Sequence, residues 1–120
     1  MPNRFVILHH QLHGGEHWDL MLEYGEILAT WQLFSEPVGG SALPIPARRI
    51  GDHRKAYLTY EGPVSGNRGQ VRRVDSGTVD IVDFSDDQCS FVLRGGRLSG
   101  RFRLQADGSE WTLVEVKPES

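Results

Sequence analysis

"GQVRRVDSGTVDIVDFSDDQCSFVLRGGRLSGRFRLQADGSEWTLVEV", residues 69–116, is a chain of short runs rich in Val, Ile, Leu, Phe and Trp, separated by Ser-Gly, Ser-Asp-Asp-Gln, Gly-Gly and Ala-Asp-Gly-Ser. Runs of this length and composition between turn residues read as strands: 69–75, 78–84, 89–94, 97–105 and 110–116. Gly95-Gly96 and Asp107-Gly108 are the expected hairpin turns, because two-residue loops need positive φ and these residues supply it. No apolar period of 3.6 residues lasts long enough for a long helix. The expected class is all-β, a barrel or a sandwich.

Working outward, the chain has 120 residues and reads as one domain, 1–120, of a size that buries a single core. Residues 35–49, SEPVGGSALPIPARR, carry Pro37, Pro44 and Pro46 and read as a long loop leading to His53. The final PES reads as a frayed tail. Thirteen Lys and Arg against sixteen Asp and Glu give a net charge of −3, which excludes the blanket positive field of a protein that coats duplex DNA. A local basic groove is still compatible with that balance. The lone Cys89 cannot form an internal disulfide. MPNRFVILHH has too short an apolar run for a signal peptide, and no stretch approaches the roughly 18 to 20 apolar residues of a membrane span. A cytoplasmic monomer without membrane contact is expected.

The chemistry concentrates near the other end. RFVILHHQLHGGEHWDLMLEYG, residues 4–25, holds four of the five histidines, His9, His10, His13 and His17, followed by Asp19. If HWDLMLEY is a strand, alternation puts His17, Asp19, Met21 and Glu23 on one face and Trp18, Leu20, Leu22 and Tyr24 on the other. His17 and Asp19 then reach a common ion, and the QLHGGE stretch folds back to bring His10 beside them. Two imidazoles and one carboxylate suit Mn²⁺, Fe²⁺ or Zn²⁺ and leave coordination positions open. Against this, H-x-D is a short pattern, and a histidine on a strand is more often a surface or hydrogen-bonded residue than a ligand. His9 and His13 are then neighbours with no necessary role, and Glu23 reads as a solvated strand residue.

FVILHH…HWDLMLE followed by GEILATW, then DHRKAYLTYEG, LRGGRLSGRF and the closing WTLVEVK, together resemble the 3′-phosphoesterase domain of bacterial DNA ligase D. The motifs occur in the family's linear order over nearly the whole chain. The resemblance implies a small closed or partly open β-barrel with short flanking helical turns. It also implies manganese, or another divalent transition metal, held by His10, His17 and Asp19. By the same likeness His53 is a catalytic histidine with Tyr57 four residues on, and Arg48 or Arg49 stands for the family's catalytic arginine. The family removes 3′-terminal ribonucleotides and 3′-phosphates from DNA ends, so DNA or DNA/RNA 3′ ends are the implied substrate and a separate ligase or polymerase the implied partner. The chain departs from the pattern in three places. The loop between the two histidines is one residue longer, which makes His9 a rival to His10 as the ligand. Met21 stands where the family has an arginine, and Ser35 and Glu36 stand where it has a lysine.

These readings lead to metal-assisted phosphoester hydrolysis, with His53 donating to the phosphoryl group and Arg48 or Arg49 and Tyr57 positioning it. The alternative is a non-catalytic module that keeps the barrel and binds a nucleic-acid end or a protein. Met21 and the missing lysine favour the module. The intact set of His10, His17, Asp19 and His53 favours the enzyme.

Overall fold

A computed structural model describes residues 2–37 and 43–116. Among these residues nine strands follow in order: β1 (Asn3–Leu12), β2 (Gly15–Tyr24), β3 (Ile27–Leu33), β4 (Ile45–His53), β5 (Gly62–Pro63), β6 (Gln70–Phe84), β7 (Gln88–Gly95), β8 (Ser99–Asp107) and β9 (Glu110–Glu115). One 3₁₀ turn, Lys55–Leu58, lies between β4 and β5. Eight strands pair antiparallel in the order β1-β2-β3-β4-β9-β8-β7-β6, and β6 pairs back onto β1 to close a barrel. Strand β5 pairs with β6 beside the closure. Of the expected closed or partly open all-β barrel with short flanking helical turns, the closed form is what appears, with one such turn among the described residues. Among the described residues, no helix is long and apolar enough to cross a membrane.

Inward-facing side chains fill the barrel, with Phe5, Leu20, Trp31, Phe91, Phe102 and Trp111 among the larger ones. Burying each large apolar side chain contributes on the order of 1.5–3 kcal/mol. Outside the barrel a smaller cluster, Val6, Leu8, Met21, Leu28, Leu58 and Val71, packs beneath the 3₁₀ turn. Strand β2 is therefore buried on both faces from His17 to Glu23, and the second face is not open to water as simple alternation suggests.

Three local expectations differ from what forms. Residues 45–53, expected within and after a loop, are strand β4. Pro46 is only the second residue of that strand, and its carbonyl accepts from Phe34 N–H at 3.1 Å, so its missing N–H does not break the strand. The Ser76-Gly77 break does not end a strand either, because β6 runs unbroken through it. Gly95 and Gly96 are absent from the positive-φ glycines, which include Gly108 at +66° in the Gly108-Ser109 turn. Gly95 is instead required by close approach: a Cβ there would lie 2.5 Å from Asp75 Oδ2 and 2.7 Å from the Leu98 carbonyl. The buried Asp75 ties that turn by accepting N–H bonds from Ser76, Gly96, Arg97 and Leu98 at 2.8–3.1 Å. Residues 38–42 of the expected loop and the expected frayed tail, 118–120, lie outside the described residues.

Candidate metal centre

The β1–β2 hairpin sets the centre of the site. Its register places His10 directly opposite His17, and on a pleated pair such residues project to the same side. The two rings meet edge to face with centroids 4.7 Å apart. Asp19, two residues beyond His17, stands on that same side. Its Oδ1 accepts from His17 Nδ1 at 2.7 Å, and its Oδ2 lies 3.6 Å from His10 Nδ1. One donor atom from each of His10, His17 and Asp19 falls within 4.8 Å of the others.

The far nitrogen of His10 settles its orientation. His10 Nε2 is 2.7 Å from the Arg68 carbonyl oxygen. A carbonyl only accepts, so Nε2 carries the proton of that bond. In a neutral ring Nδ1 is then a lone-pair donor facing the Asp19 carboxylate, and two acceptors in that position call for a shared cation, either a proton or a metal ion. The donor set therefore fits a divalent transition metal. His9 does not join it: its ring stacks on Trp18 at 4.8 Å and 9°, and its Nε2 lies 2.7 Å from Glu16 Oε1. His13 sits in the hairpin turn and is exposed.

The three residues line one wall of a cavity of about 400 Å³ on the outside of the barrel. Met21, Leu8 and Val71 contribute apolar lining, and His53 and Tyr57 line it as well. His53 is the last residue of β4 and lies opposite Leu28. Its Nδ1–H donates to the Gly51 carbonyl at 3.0 Å, and its ring meets Tyr57 edge to face at 5.3 Å. Tyr57 belongs to the 3₁₀ turn that Leu58 anchors in the outer cluster.

Strand register separates the two candidate arginines. Asp19 pairs with Gln32 and Gln32 with Arg48, so these three form a row across β2, β3 and β4 on the side of the site. Arg48 is exposed at the end of that row and is not a lining residue of the cavity. Its neighbour Arg49 points to the opposite side, as strand alternation demands. There its guanidinium lies 4.5 Å from the Trp31 ring centroid and 5.1 Å from that of Phe84, a cation–π arrangement.

Glu23, expected in solvent, is buried. It pairs with Arg4 at 3.5 Å and Lys55 at 3.3 Å and accepts the Arg4 N–H at 2.8 Å. Burial pushes its carboxyl pKa up, but the Arg4 and Lys55 contacts outweigh that and hold it below the ordinary value. It stands apart from the His10, His17 and Asp19 group.

Gln32, Ile50, Val64 and Arg68 also line the cavity and were not singled out from the sequence. Gln32 and Ile50 follow from alternation once β3 and β4 are known to be neighbours. Arg68 comes from the 64–69 turn, closed by Val64 N–H donating to the Gly69 carbonyl at 2.8 Å. The only local signal for it was an arginine within the turn-forming SGNRG.

Residues 8–106 match the family described as the DNA Ligase D 3′-phosphoesterase domain. The chain is also 29% identical, over 84% of its length, to the "Multifunctional non-homologous end joining protein LigD" of Pseudomonas aeruginosa, and it spans 14% of that protein.

Proposed function

The chain belongs to the DNA ligase D 3′-phosphoesterase domain family, and from that premise we propose that it is a manganese-dependent phosphoesterase acting on 3′ ends in DNA repair. Its substrates are DNA or mixed DNA/RNA ends that carry a 3′-terminal ribonucleotide or a 3′-phosphate. The proposed working form is a cytoplasmic monomer of one domain serving a separate ligase or polymerase. The observation that carries this reading is the convergence of His10, His17 and Asp19 on a cavity that His53 and Tyr57 also line.

His10, His17 and Asp19 would hold the metal. When bound, a divalent ion supplies positive charge to a phosphoryl oxygen and acidifies water. The protein's own groups do the rest. Asp19 accepts from His17 Nδ1, and the Arg68 carbonyl accepts from His10 Nε2, so both imidazoles are held in orientation before substrate arrives. His53 spends Nδ1–H on Gly51 and has Nε2 left for the cavity. In its protonated form it donates a hydrogen bond or a proton to the phosphoryl group. Tyr57 braces the His53 ring by its edge-to-face contact and offers its phenol to the phosphate. Arg48 sits where it can meet the strand leading into the cavity, whereas Arg49 is committed to Trp31 and Phe84.

The non-catalytic module is favoured by one observation, the neutral and buried Met21 in the cavity lining. A binder has no need of three metal donors backed by a further hydrogen bond to a carbonyl, and the enzyme reading is preferred for that reason. The test is metal analysis of the purified protein, followed by a Mn²⁺-dependent assay on a DNA primer ending in a single ribonucleotide. The expected result is bound metal and shortening of the primer, both lost in Asp19→Ala. Metal content unchanged in Asp19→Ala would overturn the metal centre. No hydrolysis by the wild type with any divalent metal would leave the binding module.

A further inference from the structure

Among the described residues that line the cavity, Arg68 is the one lysine or arginine. Its backbone and side chain serve different ends. The carbonyl holds His10, as described, while the guanidinium folds back over its own turn: Nε–H donates to the Ser65 carbonyl at 2.7 Å and Nη2 to Ser65 Oγ at 3.1 Å. Two of the five guanidinium N–H donors are thereby used and three are not. The arginines and lysines in ion pairs are Arg4, Arg49, Lys55 and Arg94; among the described residues no carboxylate pairs with Arg68. The turn is also rigidly placed. Gly69 has φ +80°, and a Cβ there would lie 1.9 Å from the Gln11 carbonyl oxygen, so the turn packs directly on the end of β1.

An exposed guanidinium, bent into place by a serine, unpaired with acid and set at the mouth of a cavity, is suited to a two-pronged grip on an oxyanion. Histidines aside, the other charged lining residue is the carboxylate of Asp19, and Met21 adds no charge. We propose that Arg68 is the phosphate-reading residue of this site, its free guanidinium edge clasping a 3′-terminal phosphate so that 3′-phosphate ends are preferred to 3′-hydroxyl ends. The identity of the ligand rests on the phosphoesterase reading of the cavity.

Anisotropy of a labelled DNA strand ending in 3′-phosphate, and of the same strand ending in 3′-hydroxyl, tests this in Mn²⁺ on a His53→Ala background that slows turnover. Arg68→Ala should reduce the preference for the 3′-phosphate end by tenfold or more, the scale of a lost charge-assisted contact. Affinity for the 3′-hydroxyl end and Mn²⁺ content should hold, because the carbonyl that steadies His10 survives the substitution. Arg68→Lys should recover part of the preference. Arg101→Ala, an equal charge loss on exposed β8, should leave it intact. The proposal is overturned if the background protein shows no preference, if Arg68→Ala keeps it, or if both ends weaken equally. A preference that depends on Arg68 in a wild type that hydrolyses neither end sustains Arg68 and defeats the phosphoesterase reading. Hydrolysis with no dependence on Arg68 does the reverse.

Discussion

Strands β2 and β8 are built to the same pleat but meet different surroundings. Along β8 the deeply buried residues, Phe102 and Leu104, face the barrel, and the positions between them are partly or fully open to solvent. Along β2 every residue from His17 to Glu23 is buried, Trp18, Leu20 and Leu22 inside the barrel and His17, Asp19, Met21 and Glu23 outside it. The difference comes from what crosses the outer surface. The 3₁₀ turn and the 64–69 turn lie over the β1–β2 side and wall the cavity there. A barrel strand thus becomes a site when a second layer shelters its outer face, because shelter gives polar groups on that face fixed partners and a lower local dielectric.

The largest effect should come from the inner face alone. Phe102→Ala removes a side chain 2% exposed and should cost about 3–5 kcal/mol of stability in urea denaturation, with no change in the metal bound per folded molecule. Next, on the sheltered outer face, His53→Ala should lower turnover about a hundredfold, equivalent to about 2.7 kcal/mol in the barrier, with melting temperature and metal content unchanged. Equal losses of stability and turnover would deny that the two layers have separate jobs. Leu58→Ala sharpens the contrast, since it unpins the 3₁₀ turn from the outer cluster. A stability loss of about 2 kcal/mol is expected, with a rise in KM from the loosened Tyr57. The smallest effect belongs to Glu23→Gln, about 1 kcal/mol or less, because Arg4 and Lys55 are partly in water. Its sign in pH is definite. A carboxyl whose pKa is depressed in the folded state contributes stability above the ordinary carboxylate range, and loses it as pH falls through the lower folded value. Urea midpoints at neutral and acid pH should therefore converge between variant and wild type as pH drops.

The sequence made some of this legible and concealed the rest for identifiable reasons. His17 and Asp19 could be read together because a strand puts alternate residues on one side, and that rule needs only local information. The hairpin that adds His10 also lies within one short stretch. Arg48 and Arg49 could not be told apart while 35–49 read as a loop, since only a strand gives neighbours opposite faces. Two of the prolines that suggested the loop, Pro44 and Pro46, lie just before β4 and at its second residue, where they are tolerated. Glu23 was misread because alternation tells which face a residue is on and not whether another element covers that face. Arg68 was out of reach for a different reason: it is 58 residues from the histidine it holds, and nothing in SGNRG names that distant partner.

The pairing of β6 with β1 that shuts the barrel has a consequence in time. Contacts near in sequence form at the least cost in loop entropy, whereas distant strand pairings come slowly. His10, His17 and Asp19 belong to one hairpin and meet as soon as it zips. The turn bearing Arg68 directly precedes β6 and reaches His10 only when that strand seals against β1. On the roles proposed above, a refolding chain accordingly assembles its cation ligands first and the group that discriminates strand ends last.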